Sequence, residues 1–180
     1  MVRTVAAGEL GMPPRSVPVD RSCDRCTRPH GRPRVSGSGL HLSVSHSGDL
    51  VVVATSMVGA VGVDVEALTA APLDHAALAE LVCAPGERPS VSDRASFLTL
   101  WTRKESVLKA TGDGLRIPLA EVVVTPPDTP PRLVSFLGRG GPDCQMVDLD
   151  LGPRYRAAVT VLDPSPFTVT VLEEHLQPAG

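Results

Sequence analysis

The sequence predicts an α+β protein made of small antiparallel sheets packed with helices, and three observations predict it. Residues 61–66, Val-Gly-Val-Asp-Val-Glu, alternate apolar and acidic side chains as a strand with two unlike faces does. Residues 97–114, FLTLWTRKESVLKATGDG, repeat apolar side chains at helical spacing between a polar start and two glycines. Beyond that helix, segments 120–125, 132–137, 144–151, 155–162 and 167–172 are apolar, β-branched or alternating and are separated by proline and glycine turns. A chain of 180 residues suits one modest domain or two small lobes, enough for a real core.

At the front, Val2, Val5, Ala6 and Leu10 share one face of a helix over residues 2–10. Prolines between 13 and 18 make a linker, which leads to Cys23-Asp24-Arg25-Cys26 with His30 close by. A Cys-x-x-Cys pair is half of a zinc site. His30 could add a third ligand, and His41, Cys83 or Cys144 would have to supply the fourth. The alternative is a plain reduced loop. Arg32 follows in a Gly-Arg-Pro turn that also holds Arg28 and Arg34.

Residues 40–47 read as a strand with Leu40, Leu42 and Val44 inward and His41, Ser43 and Ser45 outward. A turn at Ser45-His46-Ser47-Gly48-Asp49 returns the chain as a strand over 50–54, and 59–66 completes a three-stranded antiparallel meander. Composition then shifts to Ala, Leu and Pro. Residues 72–82 form a short helix with Leu73, Ala77, Leu78 and Leu81 as its stripe, and 83–90 is a loop carrying Glu87. Pro126, Pro127, Pro130 and Pro131 make a stiff connector between two of the later strands.

The helix over 97–114 is where the chemistry gathers. Ser92 or Asp93 caps its start, and Gly112 and Gly114 end it. Phe97, Leu98, Trp101 and Leu108 form the buried stripe, with Lys104, Glu105 and Lys109 beside it. Glu105 lies four residues before Lys109, so the two share a face. In an arbitrary helix this would be a solvated surface pair of little energetic weight. Asp64 and Glu66 change the weighing, because strand alternation projects both carboxylates from one face. Such a pair persists most easily around a cation, and all-oxygen ligands suit Mg²⁺ above all. The other reading of the pair is an edge strand with its polar side to water.

Gly-Val-Asp-Val-Glu at 62–66, followed by Trp-Thr-Arg-Lys-Glu-Ser-Val-Leu-Lys-Ala-Thr-Gly-Asp-Gly-Leu at 101–115, closely resembles the signature of the 4′-phosphopantetheinyl transferases, in the larger class typified by the surfactin-synthetase activator. Both blocks are intact in residue type, order and separation, and the resemblance runs from about residue 2 to 172. It implies a pseudo-twofold pair of α+β lobes, 1–66 and 67–180, with the active site in the cleft between them. It implies transfer of the phosphopantetheine arm of coenzyme A to a serine of an apo acyl or peptidyl carrier protein, with Mg²⁺ held by Asp64, Glu66 and Glu105. Glu105, or a metal-bound water beside it, would act as base, and Lys109 would stabilise or protonate the departing phosphate. Arg32, in the family's glycine–basic–proline element, and Ser45 and His46, at its coenzyme-binding turn, would meet the coenzyme's phosphates. Relatives of this class carry several dozen residues ahead of the helix at 2–10, so a late start or a shortened first lobe is expected, with weaker coenzyme binding. The larger class also implies a monomer.

A net charge of −3 argues against nucleic acid as partner, whose phosphates are bound by basic surfaces. No stretch approaches a membrane span, and the N-terminus lacks a signal-peptide layout. The expected location is cytoplasmic, and there the four cysteines are expected to be thiols. Two rival functions remain: a non-catalytic relative that binds coenzyme A or carrier protein, and a small zinc-stabilised interaction module built on Cys23, Cys26 and His30.

Overall fold

The computed structural model describes residues 1–22, 26, 28–29, 31–69 and 74–174. Helix α1 (Val2–Leu10) stops where Gly11 takes a positive φ, and it buries Ala6 and Ala7 against Val17, Val35, Leu40 and Leu42. Val2, Val5 and Leu10 are only partly covered. Short strands β1 (Val19–Asp20) and β2 (Arg34–Val35) lead to the hairpin of β3 (His41–Ser47) and β4 (Leu50–Ser56), giving a four-stranded antiparallel sheet in the order β1-β2-β3-β4. Gly48, at the first position of the two-residue hairpin loop, has φ 56°, which a tight turn matching the strand twist requires there.

Strand β5 (Val61–Ala67) does not complete the expected meander. Instead of pairing with β4 it pairs along its whole length with β9 (Tyr155–Val161), and β8 (Gln145–Asp148) adds to the far side of β9. In this pairing Val61, Val63 and Val65 are all buried, and Val61 and Val63 pack with Val159 and Val161. A third, two-stranded sheet joins β6 (Val122–Val124) to β7 (Leu133–Phe136). The alternating segment 167–172 forms no strand; Phe167 and Val169 pack on the β5–β9 valines without joining the ladder.

Helix α2 (His75–Val82) is capped by Asp74, whose carboxylate accepts from the Ala77 N–H at 3.0 Å. Its buried face is Ala79 and Val82, with Leu78 beside them, while Leu81 is 74% exposed. The expected stripe is thus rotated, because a helix of two turns leaves its phase to its neighbour. Leu73 lies outside the described residues.

Helix α3 (Arg94–Thr111) opens on a capping box between Asp93 and Ser96 and closes at Gly112, which is left-handed. It lies on β5 and β9 at the closest possible range. A Cβ added at Gly62 would stand 2.0 Å from the Ser106 carbonyl oxygen and 2.3 Å from the Ala110 nitrogen. Only glycine admits the helix there, and Ser106 and Ala110 directly follow Glu105 and Lys109 in the chain. Ser106 and Thr160 share a hydrogen bond at 2.7 Å across the same contact.

Two charged residues expected beside the buried stripe of α3, or passed over, are wholly inside. Lys104 is fully buried and donates to Glu87 (2.5 Å) and to the carbonyls of Leu119 and Val122. Glu87 also accepts the N–H groups of Ala84 and Val124. It is a strut inside the core. Arg103, equally buried, forks onto Asp148 and donates to the carbonyls of Thr125, Pro126, Pro127 and Thr129, which pins the proline connector to the helix.

Candidate active site

Strand β5 alternates strictly. Its valines enter the β5–β9 core, and Asp64 and Glu66 face α3, where Glu105 and Lys109 come down one turn apart. Asp64 is 4% exposed and Glu105 7%. Lys109 Nζ donates to Asp64 Oδ1 at 2.6 Å and to Ser45 Oγ at 2.9 Å. Ser45 in turn donates to Asp64 Oδ1 at 2.8 Å and accepts the Val65 N–H. Ser47 donates to Glu66 Oε2 at 2.9 Å.

The electrostatics of this group are unbalanced. Burial pushes the Asp64 carboxyl above the usual range, against the pull of Lys109. Burial raises Glu66 as well, with Asp64 adding repulsion. Glu105 is raised by burial and then by Asp64 and Glu66. One ammonium thus faces three carboxyls in a poorly hydrated place, the kind of imbalance that structures keep where a charge is to be received.

Asp64 Oδ2 makes the same point locally, since it is buried and has no hydrogen-bond partner among the described residues. Buried polar atoms are nearly always paired, so this one invites a ligand. An anionic oxygen aimed at no donor, in a set of three carboxylates, fits a hard divalent cation such as Mg²⁺. As they stand, no three Asp, Glu, His or Cys side chains among the described residues close into finished ligand geometry, and Lys109 supplies the counter-charge of Asp64.

The structure therefore brings together Asp64, Glu66, Glu105, Lys109 and Ser45. Ser43 and Ser45, expected on the outward face of β3, are in fact buried, because β5 lies against that face. The Ser45 hydroxyl is saturated, with its proton on Asp64 and both acceptor sites taken. Arg32 stands apart and binds backbone: Nη1 to Ala110 O (2.9 Å), Nη2 to Val61 O (3.0 Å) and Nε toward Leu42 O (3.4 Å). Among the described residues, two of its five N–H groups meet no acceptor. His46 is exposed at the end of β3, near enough to Glu66 for its charge to favour the ionised carboxylate.

Reasoning from sequence missed Ser43 and Ser47, although a period-two run of serines on one strand was there to be seen. The zinc reading rests on Cys23 and His30, which lie outside the described residues. Of the suggested fourth ligands, Cys83 is buried among α2 and α3 side chains, where burial pushes its thiol up, and Cys144 is half-buried.

With this geometry established, comparison with known proteins is direct. The family described as the 4′-phosphopantetheinyl transferase superfamily matches residues 60–160, which hold β5, α3 and nearly all of β9. The chain is 31% identical over 137 residues to the 4′-phosphopantetheinyl transferase HetI of a Nostoc strain, covering 70% of this chain and 55% of the relative. It is 32% identical over 148 residues to the 4′-phosphopantetheinyl transferase AcpT of Salmonella typhi, covering 78% and 67%. A 4′-phosphopantetheinyl transferase of Bacillus subtilis matches at 26% over 171 residues, 91% of this chain and 71% of that one. The chain thus spans between about half and 71% of the length of these relatives. The crystal structure of Thermotoga maritima holo-[acyl-carrier-protein] synthase superposes with a TM-score of 0.46 at 23% identity, over 60% of this chain and 64% of that one.

Proposed function

Because the chain belongs to the 4′-phosphopantetheinyl transferase superfamily, we propose that it transfers the phosphopantetheine arm of coenzyme A to a serine of an apo acyl or peptidyl carrier protein. The leaving group is adenosine 3′,5′-bisphosphate. The observation that carries this reading is the convergence of Asp64, Glu66, Glu105 and Lys109, with a buried carboxylate oxygen of Asp64 left open.

Asp64, Glu66 and Glu105 would hold Mg²⁺. When bound, it supplies Lewis-acid neutralisation of the coenzyme's pyrophosphate. The chain's own residues do the rest. The carrier serine must lose its proton as its oxygen bonds to phosphorus, and Glu105, on the face of α3 turned to Asp64 and Glu66, would take it. As the P–O bond to the adenosine side breaks, negative charge gathers on the departing phosphate. Lys109 uses two of its N–H donors on Asp64 and Ser45, and its side chain is 28% exposed, so a third donor remains for that charge. Arg32, Ser45 and His46 are assigned to the coenzyme's phosphates, Ser45 through the lysine that it holds.

The same reading includes a cytoplasmic monomer that needs neither membrane nor nucleic acid. The net charge of −3 supports the second point, and among the described residues no helix is long and apolar enough to cross a membrane. It also includes lobes divided at 66/67, with β5 held by both, through β3 serines on one side and β9 on the other.

The test is incubation with coenzyme A, Mg²⁺ and an apo carrier protein, read by intact mass. The expected result is a carrier heavier by one phosphopantetheine arm. A carrier left unmodified by folded protein, across acyl and peptidyl carriers, would overturn the proposal.

A further inference from the structure

Strands β3 and β5 run parallel and side by side, yet belong to different sheets. What joins them is a ladder in which serine side chains replace the carbonyls of a normal pairing. The N–H groups of Val63, Val65 and Ala67 donate to the hydroxyls of Ser43, Ser45 and Ser47 at 3.0, 3.3 and 3.0 Å. Each serine serves the residue twenty positions on.

A hydroxyl has one proton and two acceptor sites. Once β5 backbone occupies an acceptor site, the direction of the proton is narrowed to what lies beside that N–H. For Ser45 and Ser47 the neighbour nineteen positions on is a carboxylate: Ser45 donates to Asp64 and Ser47 to Glu66. For Ser43 the same neighbour is Gly62, which has no side chain. The ladder therefore contains two rungs that grip an acid and one that only holds backbone.

We infer that Ser47 and Ser45 are positioning residues, which use the β5 backbone to aim their hydroxyl protons and so fix the rotamers of Glu66 and Asp64 before a cation arrives. Ser43 is the structural member of the same ladder. Carboxylates held in this way do not have to be ordered by the metal, and hydrogen-bond partners behind metal ligands typically govern affinity by roughly 10- to 100-fold. Ser47 is the cleaner case, since Ser45 also receives Lys109.

The inference rests on the Mg²⁺ site proposed above, and its test separates the two. Mg²⁺ binding is measured by calorimetry and by its effect on melting temperature for the wild-type chain, Ser43→Ala and Ser47→Ala. Both variants strand one β5 N–H, so Ser43→Ala controls for the loss of a ladder bond. Only Ser47→Ala is expected to weaken Mg²⁺ binding, by roughly 10- to 100-fold, with the half-saturating Mg²⁺ for transfer rising in step and kcat recovering at high Mg²⁺. Ser47→Thr keeps the hydroxyl and should restore affinity. If Ser47→Ala does not fold, Ser47→Cys, close in size and a weak hydrogen-bonder, carries the same comparison. Equal Mg²⁺ affinity in the Ser43 and Ser47 variants overturns the positioning role while leaving the metal site standing. A folded wild-type chain that binds no Mg²⁺ overturns both.

Discussion

Arg103 and Lys104 are followed at once by Glu105, and all three are buried in α3, yet their charges are treated in opposite ways. Arg103 meets a carboxylate and four carbonyls, and Lys104 has a partner for each of its three donors. Glu105 and Asp64 sit in a cluster with too few cations, and one Asp64 oxygen has no hydrogen-bond partner among the described residues. A buried charge whose bonds are all made is architecture. One left under-compensated is held for something that arrives later, and it costs stability until then.

Removing an under-compensated acid should cost activity and little else. Asp64→Ala is expected to lower transfer by on the order of 10³-fold or more, about 4 kcal/mol of transition-state stabilisation. Its circular dichroism and cooperative urea unfolding should persist. Transfer at the wild-type rate, with and without chelator, would remove Asp64 from the site.

On the architectural side the effect should fall on stability. Lys104→Ala strands the buried Glu87 carboxylate, which also holds Ala84 and Val124. Breaking one partner of a buried pair typically costs about 3–5 kcal/mol, a large share of a domain's total. Urea denaturation would show it, and a midpoint unchanged from wild type would mean that the pair is not a strut.

Glu105→Gln sharpens the contrast because its two effects have opposite signs. Transfer should collapse, while the metal-free protein should gain on the order of 1 kcal/mol, because a charge is no longer buried and no longer repelled by Asp64 and Glu66. The pH dependence follows from the raised carboxyl. In the wild type the stability linked to a raised Glu105 is complete below the unfolded carboxylate value and is lost as pH rises through the folded one. The variant has no such group. Its advantage should therefore be small near pH 4 and open toward pH 7, which thermal melts in the absence of Mg²⁺ would measure. A variant less stable than wild type at neutral pH would contradict the repulsion.

Local pattern was enough to place α1, α3, the β3–β4 hairpin and the face shared by Asp64 and Glu66, since each depends on spacing, caps or turn glycines. The partner of β5 was not legible, because Val61, Val63 and Val65 suit a strand in either sheet and β9 lies some ninety residues away. The fates of Arg103 and Lys104 were illegible for a similar reason: burial of a charge depends on distant carbonyls, here those of residues 119–129. The role of Gly62 was not legible either, since only the nearness of α3 shows why a side chain there is impossible.

The smallest expected effect concerns the rim of the site, and it divides two residues that sequence alone treated alike. Arg32 gives hydrogen bonds to carbonyls of β5 and of the last turn of α3, where a cation also suits the helix dipole, so it belongs partly to the architecture. His46 is exposed at the end of β3 and has no such duty. If both meet remote phosphates of the coenzyme, loss of either removes binding shared by ground and transition states, which raises KM and spares kcat. One lost charge-assisted hydrogen bond is worth about 1.5–3 kcal/mol, so roughly a 10- to 100-fold rise in KM for coenzyme A is the upper range. His46→Ala should show that rise with an unchanged melting temperature. Arg32→Ala should show it together with a lower one, because three carbonyls lose their donor. A fall in kcat at normal KM for His46→Ala would move the imidazole from the rim into the chemistry and erase the distinction between them.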